Sequence, residues 1–63
     1  MKPRRYEYLE FRRLLRRNGY FYRRTRGSHF VFENESGDIV SINKNLNPMV
    51  AQRLIKEHDL QEV

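Results

Sequence analysis

At 63 residues the chain is expected to form a single domain, residues 1–63, that hides only about 60% of its extended-chain surface on folding, which argues against a deep, closed active site. It has no cysteine, so neither a disulfide framework nor a cysteine-based zinc site is open to it, and it has no long apolar run, so neither a membrane span nor a signal peptide is expected. The net charge of +5 is uneven: residues 1–26 hold ten Lys or Arg against Glu7 and Glu10, a local +8, whereas the remainder nets −3.

Residues 6–18 read as a helix. Its projection places Tyr8, Phe11 and Leu15 on one apolar stripe with Leu14 at the flank. Arg12, Arg13, Arg16 and Arg17 fall on the far side within an arc of about 140°, and Asn18-Gly19 supplies the stop. One face is thus built for a core and the other for solvent or a ligand. Tyr20-Phe21-Tyr22-Arg23-Arg24 is aromatic-rich and predicts a strand, Arg26-Gly27 a turn, and residues 28–33 a second strand. Asn34-Glu35-Ser36-Gly37-Asp38 is a polar loop, after which Ile39-Val40-Ser41-Ile42 predicts a third strand.

Both connections suit hairpins, so the sheet is expected to be an antiparallel meander. Alternation in the second strand separates Phe30 and Phe32 from His29, Val31 and Glu33. With the two phenylalanines turned to the helices, His29 looks out from the open face. Asn47-Pro48 starts a last helix, asparagine as cap and proline at the first helical position. Val50, Ala51, Leu54 and Ile55 give it an apolar side up to about His58. The predicted class is α+β, in the order α-β-β-β-α, with two helices on one face of a three-stranded antiparallel sheet.

Function follows from charge and from one histidine. Nine of the ten basic residues in the N-terminal half are arginine, and the guanidinium fork suits phosphate better than an ammonium does. RNA is therefore the expected partner, through Arg12, Arg13, Arg16, Arg17, Arg23, Arg24, Arg26, Gly27, Ser28 and Lys44. A histidine with an ordinary pKa of about 6.5 accepts a proton from a 2′-hydroxyl near neutral pH. Arginines, Ser28 and the backbone N–H groups near Gly27 would then stabilise charge on the phosphoryl oxygens. Tyr22, a lysine, an arginine or water remain open as the general acid. His58 is expected to interact with the dipole of its helix rather than to act in catalysis, and two separated histidines without a nearby carboxylate do not make a metal site. Tyr8, Phe11, Tyr20, Tyr22, Phe30 and Phe32 are expected mostly in the core, and Phe21 on the open face near His29, as a base-stacking or partner contact.

The combination Asn18-Gly19-Tyr20, a short strand, Arg26-Gly27-Ser28-His29-Phe30-Val31-Phe32, Gly37 and a final helix with Arg53-Leu54-Ile55-Lys56 resembles the HicA family of toxins. The resemblance covers roughly residues 8–60. It implies a fold like the double-stranded-RNA-binding domain and a toxin of a bacterial type II toxin-antitoxin system that cleaves mRNA in the cytoplasm without a cofactor. It also implies neutralisation by a HicB-type antitoxin. The family's catalytic histidine carries over onto His29, and its neighbours onto Gly27 and Ser28. Many relatives have a Pro-x-His segment where this chain has Asn43-Lys44-Asn45, and Gly-Thr where it has Asn47-Pro48. The first difference removes a possible second histidine. Two other functions fit the same charge: a noncatalytic RNA-binding module, and a small protein whose arginines meet an acidic partner.

Overall fold

The computed structural model describes residues 6–62. Its elements are α1 (Tyr8–Arg17), β1 (Phe21–Arg26), β2 (His29–Glu33), β3 (Ile39–Asn43) and α2 (Pro48–Glu57). The strands form an antiparallel sheet in the order β1-β2-β3, so the expected α+β meander is the one observed. Lys2, Arg4 and Arg5 of the basic N-terminal segment lie outside the described residues.

Helix α1 starts two residues later than expected. Glu7 is its cap, and the Glu10 carboxylate accepts a hydrogen bond from the Glu7 backbone N–H (3.3 Å). The helix ends in a Schellman turn: Gly19 takes φ +85, its N–H reaches the Arg16 carbonyl, and the Tyr20 N–H reaches Leu15 (2.8 Å). Asn47 caps α2 by accepting from the Met49 N–H (2.7 Å), with Pro48 in the first turn. Its exit repeats the first one with Asp59 in the left-handed position (φ 50) and Leu60 N–H on the Ile55 carbonyl (2.9 Å).

The apolar stripes of both helices cover one face of the sheet. Phe11, Leu14 and Leu15 from α1 and Ala51 and Leu54 from α2 pack with Phe32, Val40 and Ile42 in one core. Tyr8 meets Phe30 with ring centroids 4.6 Å apart. Tyr22 departs from the expectation of burial. It turns toward the helices and meets the edge of Phe32 at 5.9 Å, yet stays 45% exposed because β1 is a sheet edge.

Chain direction gives the two ends of the sheet different characters. Asn43, Arg26 and His29 share one row across the strands, and α2 starts just after Asn43. The Tyr8–Phe30 contact places the start of α1 at that end as well. Both helix N-termini, with their partial positive charge, therefore lie at the His29 end.

The far end is held by polar clamps. The Asn18 amide donates to the Leu14 and Gln61 carbonyls and accepts from the Gln61 N–H (2.7 Å), tying the C-terminal segment to α1. The Tyr20 hydroxyl donates to Asp38 Oδ2 (2.5 Å), and His58 Nδ1 meets the same oxygen at 2.7 Å. His58 is thus the C-cap of α2 and also a cross-link to the loop before β3, a contact that dipole reasoning did not anticipate.

These bonds hold the Asp38 carboxyl below its ordinary 3.8, chiefly through the Tyr20 hydroxyl and then through His58, and burial with the same contact pushes Tyr20 up to about 12. A depressed carboxylate stabilises the fold above pH 3.8, and that contribution disappears as the pH falls through the lower folded value. Asp38→Asn is accordingly expected to lower the unfolding midpoint at neutral pH, with the gap to wild type narrowing as the pH drops below 4. A gap independent of pH would show that the carboxylate charge does no work in this clamp.

Candidate RNA-cleavage site

The open face is a small grid, because residues paired across antiparallel strands point to the same side. One end row is Arg26, His29 and Asn43; the middle row is Arg24, Val31 and Ser41; the other end row is Phe21, Glu33 and Ile39. Val31 is buried without belonging to the helix-side core, which fits its place at the centre of this second face. The alternation read from β2 therefore placed His29 on the correct side.

Strand β1 does not alternate simply. Its register shifts between Tyr22 and Arg24, so that Phe21 pairs with Glu33 and Tyr22 with Phe32, but Arg24 pairs with Val31. Arg23 is the extra residue of a β-bulge. Its Nε lies 3.2 Å from Glu33 Oε1, a residue of the open face. A regular strand would put Arg24 and Arg26 on the side opposite Phe21. The bulge instead gathers Arg23, Arg24 and Arg26 on the face that carries His29, and leaves Tyr22 and Thr25 behind, joined through their hydroxyls at 2.6 Å. The strand also runs on to Arg26, two residues past its expected end.

Gly27 and Ser28 form a two-residue turn in front of His29. Gly27 sits at φ +62, the conformation a tight hairpin asks of its first central residue and one that a Cβ resists. His29 is thereby fixed as the first residue of β2, opposite Arg26. It is exposed and lines a shallow concavity of about 450 Å³ with Arg24, Arg26, Val31, Ile39 and Ser41. Among the described residues no group hydrogen-bonds the imidazole, so both ring nitrogens are open to a substrate. Ser28 is exposed in the turn, and Lys44 is exposed just after β3, at the same end.

The remaining arginines are elsewhere. Arg12, Arg13, Arg16 and Arg17 are exposed on α1, in the layer behind the sheet. Arg13 and Arg17 border a depression with Tyr6, Glu10 and Glu62, and Arg12 lies over the Tyr22 ring at 6.0 Å on the β1 edge. Among the described residues, the arginines of the positive half thus divide between two surfaces, and only those of β1 share a face with His29. Phe21 is on the open face as expected, but in the end row farthest from His29 rather than beside it.

No helix among the described residues is long and apolar enough to cross a membrane. No curated protein and no solved structure matches the chain. Residues 9–60 match the family described as HicA toxin of bacterial toxin-antitoxin. That match takes in α1 except its first residue, the bulged strand, the Gly27-Ser28 turn, His29 and all of α2, and the chain belongs to the HicA toxin family.

Proposed function

We propose that this toxin-family protein is an endoribonuclease that cuts mRNA with His29 as general base, and that a HicB-type antitoxin silences it by covering the open sheet face. The observation that carries the reading is the exposed His29 imidazole on the same concave face as Arg24 and Arg26. In the reaction, His29 takes the proton of a 2′-hydroxyl, and that oxygen attacks the adjacent phosphorus. The bond from phosphorus to the 5′ oxygen breaks. The products are a 2′,3′-cyclic phosphate and a 5′-hydroxyl; water entering the open concavity protonates the leaving oxygen, and the hydroxide so formed takes the proton back from His29. Arg24 and Arg26 balance the negative charge that grows on the phosphoryl oxygens. Tyr22 is a poor general acid for this step, since its hydroxyl is joined to Thr25 on the other side of the strand. DNA has no 2′-hydroxyl and is expected to survive.

The test is incubation of the purified protein with an end-labelled transcript and with the same strand carrying a single 2′-deoxy nucleotide at the mapped cut. Cleavage of the first, with a cyclic phosphate end, and sparing of the second are the expected results. Cutting of the deoxy strand would overturn the 2′-hydroxyl route.

The two arginine surfaces are separable in the same assay. Arg24→Gln with Arg26→Gln is expected to lower cleavage by about 10- to 100-fold, as a lost pair of charge-assisted phosphate contacts implies. Arg13→Gln with Arg17→Gln is expected to weaken binding to all RNAs alike. Each lost phosphate contact lowers the salt slope on single strands by about 0.7. Should the helix pair abolish cutting and the strand pair leave it intact, the site would lie on α1 and His29 would be a bystander.

A further inference from the structure

The row of the open face farthest from His29 has chemistry that the cleavage step does not use. Phe21 is 52% exposed and Ile39 51% exposed, and they flank Glu33 across the three strands. Exposed apolar surface gathered in one row and rimmed by polar residues marks an interaction site. Glu33 would repel a nucleic acid strand, but the bulged Arg23 pairs with its carboxylate at 3.2 Å and cancels that charge. The row thus sets two apolar side chains about a paired, formally neutral centre, and it borders the Arg24 position of the adjacent row, with Arg26 one row beyond.

We propose that Phe21, with Ile39 beside it, is a stacking subsite for one unpaired base of a single-stranded RNA, distinct from the nucleotides at the cut. The inference rests on the RNA reading above and gives it a substrate class. Four residue steps along β2 separate the His29 row from the Glu33 row, roughly 13 Å of strand. A single strand whose scissile phosphate sits at His29 runs along the face past Arg26 and Arg24 before its base reaches Phe21. The arginines supply phosphate contacts along that path, and the phenyl ring offers a flat apolar surface that accepts any base. In an A-form duplex the base faces are hidden in the stack, so the ring has nothing to receive. The site thus selects unpaired RNA on a fold whose helix layer carries a separate row of arginines.

The experiment uses the full chain with His29→Ala, so that RNA stays intact. The sequence has no tryptophan, and Phe21→Trp therefore places a lone tryptophan at the subsite, excited selectively beyond the tyrosine absorption. Titration with a single-stranded oligonucleotide is expected to quench it, and a duplex of the same composition is expected to leave it bright. Phe21→Ala is expected to weaken single-strand binding by about tenfold or more, as loss of one stacked base does, with duplex binding unchanged. Binding without quenching, or a Phe21→Ala affinity equal to its parent, overturns the subsite. Normal RNA binding by Phe21→Ala together with loss of antitoxin binding also overturns it and assigns the row to a protein partner. Quenching in a protein whose His29 form cuts nothing leaves the subsite standing and removes the nuclease reading instead.

Discussion

His29→Ala is expected to yield a folded protein that still binds RNA and antitoxin but cuts transcripts 10²- to 10⁴-fold more slowly, the usual cost of removing a positioned general base. The fold tolerates the change because the side chain points out from the sheet, is exposed, and has no hydrogen-bond partner among the described residues. Substitution of such a residue usually stays within about 0.5 kcal/mol. Circular dichroism and the thermal midpoint should therefore match wild type while cleavage and growth arrest disappear. Retained cutting by the folded variant would refute the mechanism. No second histidine is poised to take over, since the His58 ring is engaged by Asp38 and Tyr20 at the other end of the molecule.

What was legible in the sequence depended on how local its cause was. The side of the sheet that His29 takes follows from two-residue alternation within β2, a rule confined to five residues, and Phe30 and Phe32 indeed turn to the helices. Asn18-Gly19 and Asn47-Pro48 likewise carry their helix ends in their own backbone and amide chemistry. The β1 bulge has no such signature. Tyr20-Phe21-Tyr22-Arg23-Arg24 reads as a regular strand, and its phase is set from outside, by Tyr22 seeking Phe32 and Arg23 seeking Glu33. That phase decides which arginines stand with His29, so the charge could be counted in advance but not divided between faces.

The same limit explains the clamps at the far end. Asn18 stops its helix, as its sequence context predicts, but its amide also joins Gln61, forty-three residues away. The sequence around His58 points only to its own helix, whereas its partner Asp38 lies in a loop that only folding brings near. Asp59 takes a left-handed conformation without being glycine, held by the Leu60–Ile55 bond. Two parts of the motif that marks the family therefore do different jobs. Asn18-Gly19-Tyr20 closes one end of the domain, and Gly27-Ser28 turns the chain so that His29 opens β2 at the other.

Phe32→Ala is expected to be the most damaging single change to the fold. Phe32 lies on the central strand, is fully buried, and is packed in the core that both helices share. Truncation of a buried phenylalanine costs about 3–5 kcal/mol, from lost burial and from the cavity left behind. At about 0.05–0.15 kcal/mol per residue a domain of this length has only about 3–9 kcal/mol in hand. The variant should therefore unfold wholly or melt at least about 12 °C lower, since each kcal/mol moves the midpoint of so small a domain by about 4–8 °C. Phe32→Leu should recover most of the loss, because the site accepts an apolar side chain of somewhat smaller volume. A Phe32→Ala protein within about 1 kcal/mol of wild type in denaturant titration would place the centre of the core elsewhere. Phe32 and His29 stand three positions apart on one strand, an odd number in a two-residue repeat, and so belong to opposite faces. One change should then remove the fold and with it all binding, whereas the other should remove only the chemistry.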